Sequence, residues 1–413
     1  MRKIIASLDI GSDLIKLVVG EITKNRFNIL LAINDKSQGI KNGFIVNQES
    51  FNEVIAELFK KAREILGINV RKVIVNVPMQ NAKFELVEGS TTITNEEFVV
   101  TANDIVRSMQ AACYNKVPEN MELVNLIPIL FRINNRDVTE SPLGLGAEKL
   151  SSKCMLVTAP KKGLEPIIKV LEKNQIEVID LALSSFGDYE ELHQSSNNDE
   201  IGAIINIGAD KTEVSIYNKG VITAGDVISM GSSNIEKDLS YIYKIVPSDA
   251  RKVKEELALC HTRMAQPNEY MECEAYEDGA IRLNQYEVSE IMMERIKEIF
   301  NLVKKQINLL TKKEISYIII TGGLTEASDF DLLVDETFGS IARVAEVSEI
   351  GARNNMYSTA IGLIKFYYRK LNLRGKEFSI FTPDEQEEFS KMQGKKSSEN
   401  SILGKVFGIF FDN

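Results

Sequence analysis

One short pattern occurs twice in this chain. Residues 9–19 read DIGSDLIKLVV and residues 206–216 read NIGADKTEVSI. Ile10-Gly11 aligns with Ile207-Gly208 and Asp13 with Asp210, and each copy sets a tight turn between two apolar runs. A strand–turn–strand unit that recurs in both parts of a chain points to one duplicated supersecondary element, hence to two related halves. Turns such as Gly11-Ser12-Asp13 and Gly208-Ala209-Asp210 expose successive backbone N–H groups, a concavity suited to anions. A single glycine-containing hairpin is most often only a hairpin. Two facing each other across a cleft would grip a polyphosphate from both sides. Lys16 can add a positive charge, and Asp9, at the end of the first strand, could hold a magnesium ion through water. Gly322-Gly323 follows the apolar strand 317–321, where the missing side chains would let a base or sugar approach the backbone.

The rest of the pattern is α/β. Residues 4–10, 14–22 and 27–33 read as strands, then Asn47 caps a helix whose apolar residues run from Phe51 to Leu66 and which Gly67 stops. Residues 72–77 return to strand. Residues 84–160 change character: a strand, a helix capped by Thr101 with Asp104 three residues on, and strands near 123–133 and 153–158. This stretch reads as an inserted module. Residues 164–173 are helical, 176–183 are strand, and the polar loop 194–199 marks a boundary. The second half adds helices near 233–243, 248–259 and 287–311, and an apolar helix over about 354–371.

Composition narrows the function. A chain of 413 residues is too long for one small core. Its net charge of −10 argues against nucleic acid as a main partner and makes attraction to an anionic membrane depend on a local device. The four cysteines form no Cys-x-x-Cys pair and read as free thiols; with Cys260, His261 and Cys273 a fourth zinc ligand is lacking. With two histidines in all, serine–histidine or cysteine–histidine catalysis is a poor fit. The N-terminus does not read as a signal peptide, and no apolar run approaches the ~20 residues of a spanning helix.

These residues resemble the actin superfamily. DIGSDLIK at 9–16 is similar to its first phosphate loop, NIGADKT at 206–212 to its second, and TGGL at 321–324 to its adenosine motif. Within it the chain most resembles the FtsA family of bacterial cell-division actins. VNLIPILFRINNRDVTESPLGLGAEKL at 124–150 is similar to that family's insert, and GDVISMGSSNIEKDLS at 225–240 also matches. The resemblance implies an actin-like two-domain fold with an inserted α+β subdomain in the first half. It divides the chain into subdomain 1A at 1–83, 162–199 and the closing helix 354–374, insert 1C at 84–161, 2A at 200–231 and 312–353, and 2B at 232–311. It also implies ATP with Mg2+, held by Gly11, Ser12, Asp13 and Lys16 on one side and by Gly208, Ala209, Asp210 and Thr212 on the other. Gly322 and Gly323 would flank the adenosine, and Lys254 the ribose or base. Arg251 stands where the family carries an acidic residue. Asn206 replaces the usual aspartate, and 180–187 lack the Glu or Gln that actins use to orient water, so slow or absent hydrolysis is expected. Arg295 and Asn301 match positions the family uses to bind the C-terminal tail of FtsZ. Self-assembly into filaments and contacts of the insert with other divisome proteins are implied too.

Residues 375–400 are rich in charge, Ser and Gly and read as a disordered linker, with a mean reach near ~30 Å. The last segment, 401–413, reads SILGKVFGIFFDN. On a helical wheel Ile402, Leu403, Val406, Phe407, Ile409, Phe410 and Phe411 share one side, as in a helix lying in a membrane interface. A peripheral protein on the cytoplasmic side of the membrane at the division septum follows from the resemblance. A type IV pilus-assembly adaptor shares the insert but usually lacks a detached terminal helix. A sugar kinase needs a sugar pocket that no sequence feature identifies, and a chaperone ATPase needs a β domain that does not follow.

Overall fold

The computed structural model describes residues 2–389, apart from 24, 25, 42, 135, 139–141, 198, 277 and 278. The first half opens with β1 (Lys3–Ile10), β2 (Leu14–Thr23) and β3 (Arg26–Lys36), followed by the short pair β4 (Ile40–Lys41) and β5 (Phe44–Ile45), helix α1 (Gln48–Leu66) and β6 (Lys72–Val77). α1 forms where expected: the Asn47 side chain accepts from the amides of Glu49 and Ser50, and Gly67 closes the helix at φ +77°. Phe51, Val54, Ile55, Leu58, Ala62 and Leu66 form its buried stripe.

The insert comprises β7 (Lys83–Thr92), α2 (Ala102–Cys113), β8 (Met121–Ile133), β9 (Arg136–Val138) and β10 (Lys149–Pro160). Its strands make a separate antiparallel sheet ordered β7-β10-β8-β9. The Thr101–Asp104 capping box starts α2, which lies over that sheet on its own core of Val87, Ile105, Phe131, Leu150 and Leu156. The chain re-enters the first half through α3 (Lys161–Lys173), β11 (Glu177–Leu183) and α4 (Ser184–Leu192).

The second half contains β12 (Ile201–Ile207), β13 (Thr212–Asn218), β14 (Val221–Ile228), α5 (Ser233–Tyr243), α6 (Pro247–Lys252), β15 (Tyr270–Ala275), β16 (Gly279–Asn284), α7 (Gln285–Leu310), β17 (Tyr317–Thr321), α8 (Phe330–Phe338), β18 (Ala342–Val344) and α9 (Ser358–Leu373). α6 runs on into a wider turn at Val253–Leu257.

The duplication extends to whole sheets. The first is ordered β11-β6-β1-β2-β3 and the second β18-β17-β12-β13-β14. In each, three strands form an antiparallel meander and the two remaining strands run parallel to its first strand. α4 and α9 pack between the two sheets in a core that both halves share, through Phe186, Tyr189, Tyr217, Ile361, Ile364 and Phe366. They touch at a glycine pair: a Cβ on Gly362 would meet the Gly187 carbonyl oxygen at 1.8 Å. No larger residue fits there, so the two helices cross at backbone contact.

The expected linker needs correcting. Residues 376–389 are packed, not detached. The Ile380 amide donates to the Ile4 carbonyl at 2.8 Å, and Gln386 Nε2 donates to the Arg2 carbonyl at 3.3 Å. Ile380, Phe381 and Phe389 are buried in the core beneath the first sheet. Thr382 and Glu385 exchange capping bonds at the start of a helix over 383–389. Averaging over the charges hid four large apolar residues, Phe378 among them. The remainder of the expected linker and the amphipathic segment 401–413, with Ile402 to Phe411, lie outside the described residues. Among the described residues no helix is long and apolar enough to cross a membrane.

Candidate functional site: a cleft between two equivalent turns

β1 and β2 pair up to Ile10 and Ile15, and the four residues between them close with a bond from the Gly11 amide to the Leu14 carbonyl at 3.1 Å. β12 and β13 pair up to Ile207 and Thr212, and the Gly208 amide reaches the Lys211 carbonyl at 2.9 Å. The two turns are therefore conformational copies, one from each sheet. Both line a single cavity of about 430 Å³, together with Gly322 and Gly323 after β17 and residues Arg251, Lys254 and Glu255 around the end of α6.

Of the residues expected to hold nucleotide, Gly11, Ser12, Asp13, Lys16, Gly208, Ala209, Lys254, Gly322 and Gly323 line this cavity, as does Asp9. Two others are not brought to it. Thr212 is fully buried and its hydroxyl donates to the Met230 carbonyl at 2.8 Å, because position 212 starts the strand and points into the sheet's core side. Asp210 accepts from the Ser233 hydroxyl at 3.1 Å, bracing the start of α5. Gly322 sits at φ +107°, with its Cα against Ile207, while a Cβ on Gly323 would meet nothing within 4 Å.

Among the described residues, each of the four cations lining the cavity has a carboxylate partner. Lys16 pairs with Asp9 at 2.6 Å, Lys211 with Glu213 at 2.6 Å, Arg251 with Asp13 at 2.7 Å, and Lys254 with Glu236. Asp9 also accepts from Asn76 Nδ2 at 2.8 Å, and Asn76 Oδ1 accepts the Ile10 amide at 2.7 Å, so β6 fixes the end of β1. Asn76, Glu213 and Asn355 line the cavity and were not singled out in the sequence. A lone polar residue in the apolar run of β6 was the available signal for Asn76. The buried Glu213 oxygen Oε2 has no hydrogen-bond partner. An orphaned carboxylate oxygen in the lining of a polar cavity that Asp9 also lines fits a hydrated divalent cation. Among the described residues no three acidic, histidine or cysteine groups could hold a metal by themselves, so such an ion would depend on phosphate oxygens and water as well.

Asn206 also lines the cavity. Its Nδ2 donates to Asp188 Oδ2 at 2.7 Å, and the hydroxyls of Ser358 and Thr359 both donate to Asp188 Oδ1 at 2.8 Å. Burial pushes the Asp188 carboxyl up to about 6, although these three hydrogen bonds oppose the shift. With its oxygens bound in this way, Asp188 is not poised to orient an attacking water.

The residues expected to meet a partner tail lie on α7. Arg295 holds Asp238 of α5 through Nε at 2.6 Å and Nη2 at 2.8 Å, and also pairs with Glu298; Asn301 is exposed.

A family model described as cell division protein FtsA matches residues 203–362, and one described as the SHS2 domain inserted in FtsA matches residues 80–158. The cell division protein FtsA of Bacillus subtilis is 27% identical over 386 residues, covering 93% of this chain and 88% of that protein. That of Pseudomonas aeruginosa is 24% identical over 379 residues, covering 89% and 90%. Among solved structures, a chain of the PilM–PilN type IV pilus biogenesis complex has a TM-score of 0.59 at 13% identity, covering 88% of this chain and 98% of that one. MreB5 of Spiroplasma citri bound to ADP has a TM-score of 0.57 at 12% identity, covering 90% and 98%. The architecture is thus actin-like, with an α+β insert in the first half.

Proposed function

This chain belongs to the FtsA family of cell division proteins, and from that premise we propose that it is an ATP-binding, filament-forming scaffold that tethers the FtsZ division ring to the cytoplasmic face of the membrane. What carries the reading is the pair of equivalent turns, one from each sheet, lining one cavity. ATP enters between them, its phosphates against Gly11–Asp13 and Gly208–Ala209 and its adenosine beside Gly322-Gly323. Mg2+ accompanies it on the side of Asp9 and Glu213. Because each lining cation among the described residues is already paired, a bare polyphosphate meets little surplus positive charge, and the cation-bound form is the ligand that fits. Hydrolysis is slow or absent, since position 206 offers an amide and Asp188 is occupied by it.

Successive copies assemble into actin-like filaments, and segment 401–413 holds them on lipid. Each copy binds lipid weakly, and the filament gains its hold by avidity. The FtsZ tail docks on α7 at Arg295 and Asn301, its carboxylates taking the place that Asp238 holds at the guanidinium. The insert faces further divisome proteins, and the whole sits at the septum as a peripheral protein. Electron microscopy of the full chain on lipid monolayers with ATP and magnesium tests this. Filaments lying on lipid, lost when 401–413 are removed, are the expected result; lipid left bare by the full chain refutes it.

A further inference from the structure

Asp13 and Arg251 are 238 residues apart and belong to opposite halves, yet they meet in the geometry of a two-pronged ion pair. Arg251 Nη1 donates to Asp13 Oδ1 at 2.7 Å and Nη2 donates to Oδ2 at 2.9 Å. Glu255, one turn on, accepts from Arg251 Nε at 2.8 Å and sets the plane of the guanidinium before it crosses. Both side chains line the cavity, and both are about a third exposed, at 31% and 30%. The pair therefore stands between the cavity and solvent.

Asp210, at the matching place in the second turn, accepts from the Ser233 hydroxyl, and Asp13 accepts from Arg251 of the other half. Burial alone would push the Asp13 carboxyl up, but the hydrogen bonds and charge of Arg251 outweigh it and hold the group below its usual range, so the pair stays ionised at neutral pH.

We propose that the Asp13–Arg251 pair is a clasp across the mouth of the cleft that regulates exchange of the bound nucleotide. The proposal rests on the nucleotide reading of the cavity. For the halves to part, both parallel bonds must break, and a ligand between the turns leaves only when they do. A partly exposed pair is screened by salt, so exchange quickens with ionic strength.

The test is release of a fluorescent ATP analogue from the full-length protein with magnesium, chased by excess ATP. R251A is expected to release it about 10-fold faster. R251K keeps a charge but loses the parallel donors, and is expected to release it about 3-fold faster. Raising potassium chloride quickens release from the unsubstituted chain and has little effect on R251A. Equal release rates in the unsubstituted chain, R251A and R251K overturn the clasp alone. An unsubstituted chain that retains no analogue overturns the nucleotide reading, and the clasp with it.

Discussion

At the scale of single residues, Asn206 is explained by its neighbour. Its amide donates to the buried Asp188 carboxylate at 2.7 Å. An aspartate there would set two carboxylates against each other, and one would have to hold a proton. N206D is expected to cost about 2–3 kcal/mol at neutral pH. The sign with pH follows from Asp188. Its folded value, about 6, lies above the unfolded one. The folded state therefore keeps a proton that the unfolded state releases, and the Asp188 share of stability falls as pH rises from about 4 to 6, by roughly 3 kcal/mol. The deficit of N206D should shrink when urea unfolding midpoints are compared at pH 5 and pH 7.5. A deficit that grows on acidification contradicts the pairing. The two glycines after β17 separate stability from binding. At Gly322 a Cβ would stand 2.3 Å from the Ile207 carbonyl oxygen, whereas at Gly323 it meets nothing. G322A is expected to cost about 2–3 kcal/mol. G323A should leave the melting temperature within about a degree and weaken ATP binding by occupying its space.

At the scale of elements, local chemistry made much of the fold legible. Asn47 and Gly67 bound α1, Thr101 and Asp104 open α2, and the isoleucine-rich run of β17 falls where the pattern placed it. The cleft was readable because its two turns are copies in sequence. Contacts made by non-local pairing were not readable: Asn76 with Asp9, Thr359 with Asp188, and Arg251 with Asp13 join residues from distant parts of the chain. The segment 376–389 was missed for a different reason. Its burial depends on a groove that exists only once β1 and α1 are in place, although Thr382, Pro383 and Glu385 did spell a helix start. F381A is expected to release this segment, so its cost is capped by the free energy of local undocking, about 2–3 kcal/mol. Removing residues 376–413 should destabilise the rest by a similar amount. Hydrogen exchange at the Ile380 amide reads the undocking directly, because that group donates to the Ile4 carbonyl. Unchanged protection in F381A would show that the side chain does not hold the segment.

At the scale of the whole molecule, two sheets of the same order share a core around α4 and α9, and the cleft opens where their repeated turns approach. A ligand bound in that cleft ties both halves to one another. Magnesium–ATP at a hundred times its dissociation constant should add about 2.7 kcal/mol to stability, read as a rise in melting temperature that EDTA abolishes. A rise of equal size with EDTA present would mean that the cation plays no part in binding. The docked segment bears on a different property, namely how far the body can stand from a lipid surface. Eleven residues, 390–400, separate Phe389 from the proposed lipid-binding stretch. A chain of that length covers at most about 40 Å whatever its conformation. Had the leash begun at residue 375 it could have been more than twice as long. With the segment fixed beside Arg2 and Ile4, lipid binding by 401–413, as proposed, would keep the end of the first sheet where β1 begins close to the bilayer and take from the particle much of its freedom to roll.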